Sequence, residues 1–112
     1  PAGEMKHGPL ALIEKDLPVV CIVPPGPLFH KSISNIQEVI ARGGKILMIT
    51  DDETLESNSE NIWEVFRLPK CPKSIEVIVY SVPIHMLAYY TAVELGNDVD
   101  QPRNLAKSVT VE

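Results

Sequence analysis

Two short apolar runs flank one amphipathic stretch, and that arrangement leaves the chain few folds. LPVVCIV at 17–23 is nearly continuous and rich in β-branched residues, and it stops at Pro24-Pro25-Gly26. A strand without alternation is expected to be buried on both faces, as in a parallel sheet. Gly26 and Pro27 then supply a helix N-cap and a first helical proline. Phe29, Ile33, Ile36 and Ile40 follow at helical spacing, with Lys31, Ser34, Gln37 and Glu38 between them. Arg42 and Gly43-Gly44 close that helix. KILMIT at 45–50 is a second buried-type strand, ended by Asp51-Asp52-Glu53. Strand, helix and strand within about 35 residues make a βαβ unit, with parallel strands and a right-handed crossover.

Further along, 54–61 is polar and reads as loop, and 62–68 reads as a third strand stopped by Pro69 and Pro72. The stretch 74–95 is ambiguous. On propensity alone IEVIVY at 75–80 is a strand and 86–95 a helix capped by Gly96. A single helix would have to carry Pro83 inside it, at a cost of about 3 kcal/mol if unsupported. The order is loop or short helix, β, α, β, β, α and a tail, an α/β arrangement with too few helices to cover both sheet faces. With Pro1-Ala2-Gly3 at its start, the chain reads as a cut made inside a longer protein.

Bulk properties exclude several functions. Of 112 residues, 45% are hydrophobic and 22% charged, which suits a globular core. The net charge is −5 and no stripe of Lys and Arg occurs, so neither nucleic acid nor an anionic membrane surface is an expected partner. The apolar stretch 75–95 holds two Glu, a His and a Pro, and is expected to be too polar to span a bilayer. No signal peptide is visible. Cys21 and Cys71 form no C-x-x-C or secreted framework and read as bland thiols of a reducing cytoplasm.

Few residues offer chemistry. The tail NDVDQPRNLAKSVTVE at 97–112 has neither helix nor strand periodicity, yet Leu105, Val109 and Val111 could anchor it and present Lys107. A lysine forms imines only where some of it is kept neutral, so on composition alone Lys107 is a surface lysine. His7, beside Gly8-Pro9, sits in a constrained turn and could do acid–base work, against the plainer reading of a loop histidine. His30 and His85 read as structural. The three histidines are too scattered for a metal signature, and Asp51-Asp52-Glu53 reads as a solvated turn rather than a cation site.

Two segments carry a resemblance. GEMKHGPLALI at 3–13, followed by a strand, and DVDQPRNLAKSVTVE at 98–112 resemble the glutamine–fructose-6-phosphate aminotransferases. That resemblance implies two sugar isomerase (SIS) subdomains, each a parallel sheet flanked by helices. Residues 1–96 would be the later part of the second, and 97–112 a tail closing over the sugar. It favours one long, buried, kinked helix over 74–95. It assigns Lys107 to a Schiff base with open-chain fructose 6-phosphate, and His7 to ring opening at the partner subunit's site in a homodimer. It implies no metal or pyridoxal cofactor. The isomerase carboxylate, the phosphate loop and the glutaminase cysteine that serves glutamine would all lie upstream, so this chain alone should be inactive. The competing readings are a non-catalytic SIS module that senses a sugar phosphate and a purely structural dimerisation piece.

Overall fold

A computed structural model describes residues 1–55 and 61–101. They form two compact units, residues 1–72 and the part that begins at Lys73. The first opens with two 3-10 turns, Ala2–His7 and Pro9–Leu12. Strand β1 (Pro18–Ile22), helix α1 (Phe29–Ile40), strand β2 (Lys45–Thr50) and strand β3 (Ile62–Arg67) follow. The sheet is parallel in the order β1-β2-β3, with Val19 opposite Ile46 and Met48 opposite Val65. The βαβ unit expected from the sequence is present.

One hydrophobic core joins these parts. Leu10, Val23, Ile36, Val39, Ile46 and Met48 are buried together, with Met5, Ile13, Val19, Cys21 and Phe29 packed against them. The α1 residues at helical spacing face the sheet, and the 3-10 turns pin the N-terminal segment beside α1 through Met5 and Leu10. No buried side-chain polar atom lacks a hydrogen-bond partner among the described residues.

Three expectations need correction. β2, the central strand, is mostly buried, but β1 is buried on one face only. Val20 and Ile22 remain 43% and 44% exposed while Val19 and Cys21 turn inward. Apolar composition reports that a strand can be covered twice, not that both covers are at hand. The helix begins at Phe29, not at Pro27. Gly26 to Phe29 form a turn closed by Phe29 N–H donating to Gly26 C=O at 3.0 Å, and Leu28 is the N-cap. The single long helix expected over 74–95 is present, against the strand-then-helix pattern of propensity alone, but it is not buried. After a 3-10 turn at Lys73–Ile75, helix α2 runs unbroken over Glu76–Glu94 with Pro83 inside, and of its residues only Tyr80 and Pro83 are buried.

Helix α2 is apolar on all sides. Tyr80 and Pro83 are buried, while Val77, Ile78, Tyr89, Tyr90 and Leu95 stay exposed. With a mean hydropathy of 1.2, the segment Lys73–Glu94 is long and apolar enough to cross a membrane by length and composition, a test the sequence reading expected it to fail. The same test is passed by core helices of globular proteins, which are apolar all round for want of a solvent face.

The turn after α1 leaves little room for side chains. Gly43 takes φ +84°, and Gly44 N–H donates to Val39 C=O at 3.2 Å. A methyl group on Gly44 would lie 2.6 Å from Val39 Cγ1 and 3.1 Å from Ile13 Cγ2. Val39 is fully buried and, as a β-branched helical residue, has little rotamer freedom. Gly44→Ala is therefore expected to destabilise the chain by about 1–3 kcal/mol in urea unfolding. Gly3→Ala, where a methyl meets nothing within 4 Å, should be close to neutral, and equal effects at the two sites would refute the steric account.

Candidate active site

The N-terminal turns position the one histidine singled out for acid–base work. Gly8, at φ 151° and ψ −58°, adopts backbone angles that side-chain-bearing residues rarely reach, and it separates the two 3-10 segments. Met5 and Leu10 hold the segment to the core on either side of it, so His7 stands on an exposed corner. In a 3-10 turn residues i and i+3 eclipse, which brings Glu4 alongside His7. His7 Nδ1 lies 2.9 Å from Glu4 Oε2.

Next to this pair lies a cleft of about 570 Å³. Its walls are the N-terminal turns including Glu4, the run 19–23 of β1 and its exit, and Ser32, Asn35 and Ile36 of α1. The lining is mostly apolar, with Glu4, Ser32 and Asn35 as its polar side chains. His7 is not in the lining; Glu4 is the residue that both faces the cleft and holds the imidazole.

The carboxyl ends of the strands form a second ordered region. Thr50, fully buried, donates its hydroxyl to Val23 C=O at 2.7 Å and accepts from Asp52 N–H at 3.1 Å. Asp52 in turn accepts from Thr54 N–H at 2.7 Å and from Thr54 Oγ1 at 2.5 Å. Those hydrogen bonds hold its carboxyl below the usual carboxylate range. Arg67 donates to the carbonyls of Asp52 and Leu55, and Lys70 lies 3.1 Å from Glu53. The acidic cluster is thus a self-capped turn. Among the described residues no group of three or more potential ligands could hold a metal ion.

The remaining sequence candidates fall out simply. His30 makes an edge-on ring contact with Phe29 at 5.6 Å, and His85 lies on α2. Cys21 and Cys71 are both free. Burial pushes the Cys21 thiol up to about 11, which suits an inert packing residue. Lys107, with Leu105, Val109 and Val111, lies outside the described residues. Sequence reasoning missed Glu4 and Thr50. The i, i+3 spacing within GEMKH was the available signal for Glu4, and a lone hydroxyl ending a buried strand was the signal for Thr50.

Comparison with known proteins places these features in a family. Residues 1–95 match the SIS domain. The chain is 57% identical over 111 residues to a glutamine–fructose-6-phosphate aminotransferase (isomerizing) of Brucella abortus, covering 99% of this chain but 18% of that protein. A protein of the same name from Sphingobium yanoikuyae is 55% identical over 111 residues, and the chain covers 71% of it. Among solved structures, the C-terminal domain of glucosamine-fructose-6-phosphate aminotransferase from Francisella tularensis superimposes with a TM-score of 0.79 at 40% identity, over 88% of this chain and 28% of that one. The chain therefore spans less than a fifth of the Brucella relative. Its parallel sheet with α1 against it and its match over nearly all described residues lead to one assignment: the chain belongs to the SIS domain family and, within it, to the glutamine–fructose-6-phosphate aminotransferases.

Proposed function

We propose that this chain is the C-terminal part of the isomerase half of an enzyme that makes glucosamine 6-phosphate from fructose 6-phosphate and glutamine. The observation that carries the reading is the structural match to the C-terminal domain of such an enzyme, at 40% identity over 88% of the chain. In this reading residues 1–96 complete the second SIS subdomain and 97–112 close over the sugar. The parent enzyme is a homodimer, and His7 acts at the partner subunit's site. The free thiols of Cys21 and Cys71 suit a cytoplasmic setting. Helix α2 is a packing helix rather than a membrane span, since it lies within the stretch that matches the SIS domain.

The chemistry asks for two groups from this chain. The cyclic sugar opens when the hydroxyl proton on C2 is removed, the bond from C2 to the ring oxygen breaks, and that oxygen takes up a proton. His7 is the acid–base group for this step. The Lys107 amine then adds to the C2 carbonyl and water leaves, giving an imine that acidifies the neighbouring C1–H. Ammonia from glutamine displaces the lysine. A carboxylate supplied by the upstream chain moves the C1 proton to C2, leaving an aldehyde at C1 and an amine at C2. With that carboxylate and the glutamine site elsewhere, this chain alone is inactive.

The test uses the full-length protein. Borohydride added in the presence of fructose 6-phosphate is expected to fix a sugar on Lys107, read by peptide mass spectrometry. Sugar-phosphate binding with an unmodified tail would favour a sensor module instead.

A further inference from the structure

We propose that Glu4 is the positioning residue of His7, holding the imidazole in the tautomer that ring opening needs; the inference rests on the role given to His7 above. Three observations carry it. His7 Nδ1 lies 2.9 Å from Glu4 Oε2. The contact is built into the backbone, because both residues lie in one 3-10 turn that eclipses positions three apart. The turn itself is anchored by Met5, between the two residues, and by Leu10 beyond Gly8.

The chemical consequence follows from the donor inventory. An ionised carboxylate only accepts, so the ring nitrogen facing it carries the proton. In the neutral imidazole the other nitrogen, Nε2, then presents its lone pair outward. That nitrogen is the one able to take a hydroxyl proton from C2 of the cyclic sugar, and the charge that arises on the ring is met by the carboxylate behind it. When Nε2 gives the proton to the ring oxygen, the pair returns to its starting state and the proton count balances. Without Glu4 the ring is free to turn and to hold its proton on Nε2, where it cannot act as a base.

The pair is exposed, at 67% for the His7 side chain and 65% for Glu4. Exposed ion pairs contribute little to folding. The role of Glu4 is accordingly read in kinetics rather than in unfolding. The informative comparison is between fructose 6-phosphate and its 5-deoxy analogue. The analogue lacks the hydroxyl that closes the furanose ring, and its C6 oxygen is esterified, so it stays open and needs no ring opening.

In the full-length enzyme, Glu4→Ala is expected to lower kcat/KM for fructose 6-phosphate about 10-fold, less than the roughly 10²–10⁴-fold usual for an acid–base group itself, because Glu4 acts through His7. The loss on the open-chain analogue should be much smaller. Glu4→Gln should recover most of the activity, because its amide oxygen still accepts from Nδ1–H. The double variant Glu4→Ala/His7→Asn should be no worse than His7→Asn alone, the non-additivity expected of a residue that acts through another. Equal losses on both substrates, or additive losses in the double variant, would overturn the positioning role while leaving that of His7 intact. Full activity of His7→Asn on the cyclic sugar would instead overturn the ring-opening role itself, and the role of Glu4 with it.

Discussion

Replacing Lys107 by arginine in the full-length enzyme is expected to abolish conversion of fructose 6-phosphate to glucosamine 6-phosphate. The substitution keeps the positive charge and much of the length of the side chain. It removes the one property imine formation requires, an amine that can lose its proton and attack a carbonyl. Guanidinium stays charged throughout the working pH range, so no fraction of it is nucleophilic. The expected loss in kcat is on the order of 10⁴-fold or more, the scale seen when a covalent nucleophile is deleted. Retention of charge means that binding of the sugar phosphate should survive better than turnover, which separates a chemical defect from a collapsed site. Glucosamine 6-phosphate formation followed by a coupled assay gives the rate, and isothermal titration with fructose 6-phosphate gives the affinity. Activity within about tenfold of the unsubstituted enzyme would show that Lys107 is not the imine former.

That prediction concerns a residue found by resemblance and not by periodicity, and the difference tells what a sequence can carry. The βαβ unit was legible because it has a period. Phe29, Ile33, Ile36 and Ile40 recur at helical spacing, and Val19 to Val23 form a short β-branched run of strand length that stops at Pro24-Pro25-Gly26. Helix α2 was not legible in that way. Val77, Ile78, Val79 and Val82 are β-branched residues with strand preferences, and Pro83 argues against a helix interior. Propensities of a few tenths of a kcal/mol per residue are easily overridden by context. Only likeness to known chains pointed to one helix there. The exposed face of β1 marks another boundary, since the alternation of Val20 and Ile22 with Val19 and Cys21 is invisible when all four are apolar.

The site divides along the same line. His7 next to Gly8-Pro9 suggests a fixed turn, but nothing in the residues alone lifts it above an ordinary loop histidine. Glu4 becomes meaningful once the segment is known to be a 3-10 turn, because three-residue spacing makes a pair there and not in an extended chain. The acidic run Asp51-Asp52-Glu53 shows the reverse. In sequence it reads as a solvated turn for want of a calcium loop's spacing, and in the fold Asp52 accepts from both the amide and the hydroxyl of Thr54.

Thr50→Val is expected to be the most damaging conservative substitution in the first unit. The two side chains have nearly the same shape, so no cavity of consequence opens. What changes is hydrogen bonding at a fully buried position. The Thr50 hydroxyl donates to Val23 C=O, at the exit of β1, and accepts from Asp52 N–H, at the start of the turn after β2. Its backbone C=O meanwhile accepts from Leu68 N–H, at the end of β3, at 2.8 Å. One residue thus ties together the carboxyl ends of all three strands, the edge from which ligand-binding loops of parallel sheets depart. Valine leaves one acceptor and one donor without that partner, each at about 1–3 kcal/mol when buried, for a total near 3 kcal/mol. Thr50→Ser keeps both bonds and loses only a buried methyl, at about 1 kcal/mol. Urea unfolding should therefore rank the variants wild type, serine, valine. Hydrogen exchange should show faster exchange of the Asp52 amide in the valine variant beyond what the global loss explains. If valine instead matched wild type in both measurements, the turn that carries Asp52 would owe its order to the Arg67 side chain, which reaches it from the end of β3, rather than to Thr50.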